Sequence, residues 1–443
     1  MNISSSDHAQ AVGRLRWRSM PRHGLIAMLA GLLTACGGGS GSGPDPVPVA
    51  DAPDESNDRI TITNDRSALG DRVIYTEQDV PVEAGATGQK SGAVPGRKPS
   101  VTLTLLSQLS PPVVDGEVVQ ATSVEQKTFG NATVSYNMRG APRLGAIDWI
   151  TKMDSNKPEL TSGATFNDAD INAVVSDGKY IFTAMATDAP EFPFPSVIER
   201  VQIRSDQLTL AGNSRAPLTS FAATSVLPVD DTIYATSGNT GGVFGMAESD
   251  LSPLGEFPLH DARWVAFDED GGRLVVAQGT PGQISVFAEG EFPNGSMTLL
   301  NTFPFPGADV PESKTTVEIS GGKAFIAAGP EGVQIVCLDS GEIVGSVPRP
   351  DPDSLGLDPS VVVTNAVTVD GALMFISNGE AGVYVAKARR QFANSGCEQQ
   401  EITVEGKLRF DDLQSANHVS YKGNKLLVAA GLGGVKIVRV RKN

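Results

Sequence analysis

Nearly continuous apolar runs that end in small residues and glycine recur along the chain. KLLVAAGLGGVKIV (residues 425–438) and KAFIAAGPEGVQIV (residues 323–336) are identical at eight of fourteen positions. Each segment predicts two strands joined by a glycine turn. A strand with one wet face alternates apolar and polar residues, whereas these runs predict strands that are buried on both faces.

The same pattern of an entry strand, a turn, an apolar strand that ends in glycine and a further strand occurs seven times along the chain. Its anchor glycines, Gly238, Gly279, Gly329, Gly379 and Gly431, recur every 41 to 52 residues. A repeat of this length with three or four strands is typical of a β-propeller. We therefore predict an all-β fold, a seven-bladed β-propeller over residues 100–443. The copies are recognised from Ala132, Ile171, Ala223, Ala262, Thr315, Asn365 and Ala416, and the entry strand of the first lies near Ala121 to Gln126.

The last copy lacks a fourth strand, and a spare strand precedes the first copy. SVTLTLLSQL (residues 100–109) has no partner of its own in the pattern. We predict that this N-terminal strand closes the last blade, because pairing there removes an exposed sheet edge. Residues 58–99 contain strand-like pieces among turn residues, and the sequence leaves open whether they form a linker or accessory strands.

The first residues have the pattern of an export signal. Four arginines precede a short apolar segment that ends in LTAC, with Cys36 last. The segment is too short to span a bilayer, which favours a signal peptide over residues 1–35. The glycine- and proline-rich residues 36–57 then predict a flexible tether. LTAC resembles the lipobox of bacterial lipoproteins, which implies cleavage before Cys36 and acylation of its thiol. Gly37 favours the outer membrane, with the protein facing the periplasm or the cell surface.

The repeat itself resembles a known unit. LLVAAGLGGVKIV and AFIAAGPEGVQIV are similar to the repeat of the LVIVD-repeat proteins, which are exported bacterial propellers, and GAIDWI with Asp148 resembles its ending most closely. The resemblance covers about residues 100–443. It implies a fold and an exported location, but no reaction.

Composition and charge narrow the classes of partner. The chain has 443 residues and a net charge of −16, which becomes −19 after Cys36. An acidic body argues against nucleic-acid binding and against docking on anionic lipid through a basic patch. We expect membrane contact only through lipid on Cys36. Cys337 and Cys397 are the remaining cysteines, and in an oxidising compartment they can pair or stay free.

Catalytic motifs are scarce. Only His260 and His418 follow Cys36, and neither has a GxSxG segment near it. HExxH, CxxC and phosphate-loop patterns are absent from the sequence. We therefore expect no enzyme, no catalytic residue and no cofactor.

One polar position repeats at the start of the innermost strand of each predicted blade. Asn172, Asn365 and Asn417 occupy it in three copies, with His418 and Trp264 at the following position in their copies. These side chains are expected to form a ring at one mouth of the channel. Amide oxygens suit Ca²⁺ or a polar ligand; alternatively the ring satisfies backbone groups. We call these seven residues the ring positions: Thr122, Asn172, Thr224, Arg263, Thr315, Asn365 and Asn417.

The sequence predicts the architecture in more detail than the role. Propeller faces present many loops on a rigid scaffold, which favours a module of the cell envelope that binds a protein or a polysaccharide. A channel-centred, lactonase-like hydrolase that depends on Ca²⁺ is one alternative. A purely structural envelope protein is another.

Overall fold

The structure is a computed structural model that describes residues 52–83, 99–126, 130–288, 292, 297–307, 313–410 and 415–443. Cys36 and the predicted signal and lipid anchor lie outside this range. In the described part, no helix is long and apolar enough to cross a membrane.

Short elements come first along the chain. They are strands of two to nine residues, with one short helix after the second strand. A small hairpin follows the strand that closes the ring. In order these are β1 (Glu55–Ser56), β2 (Ile60–Thr63), α1 (Arg66–Gly70), β3 (Val73–Asp79), β4 (Val82–Glu83), β5 (Val101–Leu109), β6 (Val113–Val114) and β7 (Glu117–Val118).

Seven antiparallel sheets then follow one another as the blades, each with its first strand innermost. The first three blades are β8 (Gln120–Gln126), β9 (Ala132–Asn137), β10 (Gly145–Thr151) and β11 (Glu159–Phe166); β12 (Ala169–Ser176), β13 (Tyr180–Thr187), β14 (Ser196–Arg204) and β15 (Gln207–Pro217); and β16 (Ala223–Val229), β17 (Thr232–Ser237), β18 (Gly242–Ala247) and β19 (Pro253–Pro258).

The next three blades have the same layout, the seventh has three strands from this part of the chain, and a short helix, α2 (Pro352–Leu355), lies between the fifth and the sixth blade. Their strands are β20 (Ala262–Asp268), β21 (Arg273–Gln278), β22 (Gln283–Ala288) and β23 (Leu299–Pro304); β24 (Val317–Ser320), β25 (Lys323–Ala327), β26 (Val333–Cys337) and β27 (Ile343–Val347); β28 (Ala366–Asp370), β29 (Leu373–Ser377), β30 (Val383–Ala388) and β31 (Ile402–Leu408); and β32 (His418–Lys422), β33 (Lys425–Ala429) and β34 (Val435–Lys442).

The apolar runs of the sequence are the second and third strands of the blades. Every residue of β13, β25 and β33 is buried. Apolar clusters join neighbouring blades, as where Ile147 and Trp149 of the first blade pack with Ile181 of the second. Both faces of such a strand are covered, which explains the lack of alternation.

The ring closes as the sequence predicts, with β5 as the fourth strand of the seventh blade. Leu109 pairs with Val435, and the register continues to Val101 opposite Lys442. Gly434 has a φ of +70°, and a Cβ there would lie 1.9 Å from the carbonyl oxygen of Leu109. Only glycine fits this turn next to the closing strand.

Residues 52–83, which we call the belt, add strands to the outer edges of three blades. β2 pairs with β11 of the first blade, β3 with β5 of the seventh, and β4 with β31 of the sixth. Glu55 also accepts hydrogen bonds from Thr209 and from the amide of Leu210 in the second blade. The belt therefore crosses the seam between the last and the first blade from outside.

A buried ion pair fastens the belt to the first blade. Arg72 donates to both carboxylate oxygens of Asp148, at 2.9 and 2.6 Å, and Asp148 is only 1% exposed. Tyr136 donates to the same carboxylate at 2.6 Å. Burial, with the negative charge of Asp148 beside it, raises the pKa of Tyr136 well above its usual value, so the hydroxyl keeps its proton.

A disulfide joins the fifth and sixth blades. Cys337 at the end of β26 bonds to Cys397, which lies in the connection between β30 and β31, and their Cα atoms are 5.4 Å apart. The bridge closes a segment of 60 residues. Such a loop restricts the unfolded chain and stabilises the folded one.

Candidate functional site

The ring positions of the first four blades are β-bulges. The strand register skips Thr122, Asn172, Thr224 and Arg263, each of which is the extra residue opposite a continuous partner strand. A bulge leaves the backbone groups of the extra residue outside the ladder. Both side chain and carbonyl at these positions are therefore available for contacts across the mouth of the channel.

Five ring side chains donate a hydrogen bond to a backbone carbonyl of the next blade or of the segment leading into it. Distances are 2.8 to 3.0 Å, and the Asn417 bond crosses the closure seam. The pairs are Asn417 with Ala121, Thr122 with Ile171, Asn172 with Ala223, Thr224 with Ala262, and Arg263 with Ser313. The arrangement is that of latches between blades, since each amide or hydroxyl satisfies a neighbouring backbone group.

The other two ring positions do not follow this rule. The hydroxyl of Thr315 lies 3.2 Å from that of Ser313. The amide oxygen of Asn365 is buried and has no hydrogen-bond partner in the described part of the chain. Three asparagines at one repeat position therefore do not share one chemical role.

A lysine that the repeat pattern does not mark reaches into the ring. The Nζ of Lys314 donates to the carbonyl of Thr122 at 2.6 Å and to that of Asn172 at 3.1 Å. Both carbonyls belong to bulge residues. The amine of Lys314 thus lies where a cation bound by these oxygens would lie, so we do not assign Ca²⁺ to the ring. Within the described ranges, no group of three or more His, Cys, Asp and Glu side chains is arranged to hold a metal ion.

Trp264 and His418 meet at the axis of the propeller. Their rings stack with centroids 5.6 Å apart, although they belong to the fourth and seventh blades, which are not neighbours. Burial, together with the positive charge of Lys314, lowers the pKa of His418 to about 3. His418 is therefore neutral at physiological pH and acts as packing that fills the channel at this level.

A cavity of about 920 Å³, which we call the mouth cavity, opens beside this packed centre. It lies over the second-to-third-strand turns and the blade connections of the first four blades. Its apolar wall includes Pro142, Pro195 and Phe221, and Phe221 is 70% exposed. Its polar floor is formed by Asp170, Asn172, Asp261, Arg263 and Lys314.

Two residues on the floor of the mouth cavity have strongly shifted pKa values. Burial raises the pKa of Asp170 to about 7, although its Oδ1 accepts a hydrogen bond from the amide of Ala186 at 3.2 Å. Burial lowers the pKa of Lys314 to about 7, against the opposing effect of Asp170. Such perturbed groups in a cavity mark a candidate functional site. Arg263, by contrast, is paired with Asp261 at 2.7 Å.

The sequence-predicted residues are only partly brought together here. Asn172 and Arg263 line the mouth cavity, together with His260, whose Nδ1 lies 2.8 Å from the carbonyl oxygen of Thr280. Asn365, Asn417, His418 and Trp264 do not line it. Phe221 and Lys314 were missed because they lie in connections between blades, which differ from copy to copy.

A smaller cavity of about 490 Å³ lies at the opposite end of the inner strands. Glu318, Asp370 and Lys422 line it. Burial raises the pKa of Glu318 to about 7. The two ends of the channel thus differ, because only the mouth cavity combines an exposed aromatic residue with a buried amine.

The latch geometry makes a prediction about stability. Replacing Asn172 or Asn417 with alanine removes an inter-blade hydrogen bond, and each change is expected to lower the free energy of unfolding by about 1 kcal/mol, additively in the double variant. Asn365→Ala is the matched control, with an expected loss of under about 0.5 kcal/mol because its amide oxygen has no partner. Urea unfolding measures all four proteins. A Ca²⁺-dependent rise in stability that Asn172→Ala abolishes would contradict the latch role.

Comparisons with known proteins agree on the fold. No family model matches the chain, and no curated protein matches it. The structure is similar to a chain of the mitotic checkpoint complex, with a TM-score of 0.50 at 10% identity over 83% of this chain and 98% of that one. Weaker similarity links it to the WD40 β-propeller domain of Doa1 (TM-score 0.48, 11% identity, 75% of this chain and 96% of that one).

BamB from Moraxella catarrhalis is also similar, with a TM-score of 0.42 at 12% identity over 83% of this chain and 95% of that one. At such low identity these likenesses bear on the fold alone. The seven sheets and the closing strand identify the chain as a seven-bladed β-propeller, and the similarity to the chain of the mitotic checkpoint complex agrees with this fold.

Proposed function

We propose that the protein is a binding module of the cell envelope that holds a segment of a partner protein in the mouth cavity. The observation that carries the proposal is Phe221, a large apolar side chain that is 70% exposed at the rim of a cavity of about 920 Å³. Exposed aromatic residues beside a cavity are typical anchors of protein interfaces.

The chemistry of the cavity favours a peptide over a polysaccharide. Pro142, Pro195 and Phe221 offer apolar contact area, while Asp170 and Lys314 lie on the floor. A partner segment with one apolar side chain and nearby polar backbone groups matches this division. A polysaccharide needs many outward-facing hydrogen-bonding groups, and most polar groups around the ring are already engaged in latches.

Site-specific photo-cross-linking in cells tests this proposal. A photoreactive residue at Pro142, on the cavity rim, is combined with Phe221→Ser or with Leu300→Ser, which changes another exposed apolar residue on the outermost strand of the fourth blade. We expect one defined protein adduct that Phe221→Ser reduces at least about tenfold, the size of a lost anchor, and that Leu300→Ser leaves intact. Adducts to glycan, or adducts indifferent to Phe221→Ser, would refute the peptide site.

The proposal includes a lipid anchor on Cys36 and membership of the LVIVD-repeat proteins. The LTAC segment after a short apolar run supports the anchor, and the repeat pattern supports the family. Two or more acyl chains on one cysteine hold a protein stably on a membrane. Gly37 favours the outer membrane as its location.

Cys36→Ser is expected to remove the acyl mass from the protein. The protein is then expected in the soluble fraction instead of the membrane fraction. Intact-mass spectrometry and fractionation of cells measure the two effects. Cys397→Ser serves as the control, since it changes a cysteine of the disulfide and keeps the lipid. A Cys36→Ser protein that still carries lipid would contradict the assignment.

A further inference from the structure

Lys314 is placed as a reactive amine. Its nitrogen contacts two carbonyl oxygens, those of Thr122 at 2.6 Å and Asn172 at 3.1 Å. A neutral amine has two N–H groups and one lone pair, so these two acceptors take both of its protons. The residue also lines the mouth cavity, which is large enough to admit a small molecule.

Lys323 shows what a purely structural buried lysine looks like in the same protein. It is 0% exposed, and its nitrogen donates to three carbonyl oxygens, those of Gly321, Phe392 and Gly396, at 3.0, 2.9 and 2.5 Å. Three acceptors match the three protons of an ammonium group and leave no lone pair. It also does not line the mouth cavity.

Among the described residues, few charged groups line the mouth cavity with Lys314. Asp170 and the Asp261–Arg263 pair line the same cavity, His260 lies on its wall, and His418 is neutral at the axis. Asp170 is the acid that interacts electrostatically with Lys314. A desolvated lysine that shares a cavity with a carboxyl group of raised pKa is an arrangement that suits carbonyl chemistry.

We propose that the amine of Lys314 forms an imine with small aldehydes or ketones that enter the mouth cavity, and that Asp170 transfers the protons. The nitrogen lone pair adds to the carbonyl carbon, and one of the two nitrogen protons passes by way of Asp170 to the carbonyl oxygen, which gives a neutral carbinolamine. The C–O bond then breaks as Asp170 protonates the departing hydroxyl. Water leaves, the nitrogen proton passes to Asp170, and the C=N bond forms. Amine and carbonyl compound thus give imine and water, with no oxidant or reductant.

At neutral pH, carbonyl compounds are expected to react much faster with Lys314 than with exposed lysines. With a pKa of about 7, roughly half of Lys314 is neutral at pH 7, against about one in 2,500 for an ordinary lysine. A less basic amine is also a weaker nucleophile, so we expect labelling at least about tenfold faster than at exposed lysines rather than a thousandfold. The advantage is expected to disappear near pH 10, where ordinary lysines also become neutral.

Reductive trapping on the isolated protein tests the proposal and does not depend on the protein partner. Propanal and cyanoborohydride are added at pH 7 and at pH 10, and the propyl group is located by peptide mass spectrometry. Lys314 is expected to react at least about tenfold faster than the exposed Lys442 and the buried Lys323 at pH 7. Lys314→Arg, which keeps the hydrogen-bond donors, checks the assignment of the modified peptide.

The Asp170→Asn variant tests whether Asp170 acts as an acid in the reaction or has only a structural role. It is expected to slow imine trapping about tenfold or more at pH 7, since a positioned acid contributes at least that much, while acetylation of Lys314 by acetic anhydride, which needs no acid, is not slowed. Equal labelling of Lys314 and Lys442 at pH 7 would overturn the reactive amine. Equal slowing of both reactions, or of neither, would overturn the role of Asp170.

Discussion

Arg72→Ala is expected to lower the free energy of unfolding by about 3–5 kcal/mol, because it leaves a buried carboxylate without its counter-ion. Asp148 is 1% exposed, and both of its oxygens accept hydrogen bonds from Arg72. The change also removes the ion pair that links the belt to the first blade. Guanidinium-induced unfolding followed by tryptophan fluorescence measures the loss.

A matched control uses an exposed ion pair between the belt and a blade. Arg409 pairs with Glu83 at 3.2 Å, with side chains 62% and 50% exposed, so Arg409→Ala is expected to cost no more than about 1 kcal/mol. Adding Asp148→Asn to Arg72→Ala removes the unpaired charge and is expected to recover part of the loss. Equal effects of Arg72→Ala and Arg409→Ala would show that the buried pair does not hold the seam.

Truncation at the N-terminus is expected to have the largest effect on stability. A protein that begins at Ala52 keeps the belt, and it is expected to match the longer chain. One that begins at Pro99 loses the buried side chains of Ile60, Ile62 and Leu69, each worth about 1.5–3 kcal/mol, and leaves Asp148 unpaired. Together, the lost apolar burial and the unpaired carboxylate are expected to lower its free energy of unfolding by at least about 6 kcal/mol.

A protein that begins at Ser110 also lacks β5, so the seventh blade exposes β34 as an unpaired edge. It is expected to have no cooperative unfolding transition. Circular dichroism and urea unfolding compare the three proteins. The repeat pattern alone predicts that only the last truncation matters, so equal stability of the proteins that begin at Ala52 and Pro99 would show that the belt is dispensable.

The closing strand could be predicted because it is a gap in a regular pattern. Seven copies with one missing strand leave residues 100–109 as the natural partner. The belt could not be predicted, since its strands are as short as two residues and follow no repeat. Asp148 stood out only through the resemblance of GAIDWI to the LVIVD repeat. Its partner Arg72 lies 76 residues earlier, and no spacing rule connects them.

The candidate site could likewise be predicted only in part. Aligned repeats located the ring positions, because equivalent residues of every blade meet at one mouth. Their chemistry depends on β-bulges and on hydrogen bonds to the next blade, which side-chain identity does not reveal. Lys314 and Phe221 lie in connections that no other copy shares. Connections carry the individual function of a propeller, whereas the repeated strands carry its fold.

The most direct test of the central claim compares the two ends of the channel. Photoreactive residues are placed one at a time at Pro142, on the rim of the mouth cavity, and at the exposed Lys422, on the cavity at the opposite end. Cells are irradiated, and the amount of partner adduct is measured by immunoblotting. If the mouth cavity is the binding site, the amount of adduct from Pro142 is expected to exceed that from Lys422 at least about tenfold. This factor corresponds to the affinity that one anchor residue contributes. An adduct that forms equally from both positions, or mainly from Lys422, would contradict the mouth cavity as the binding site.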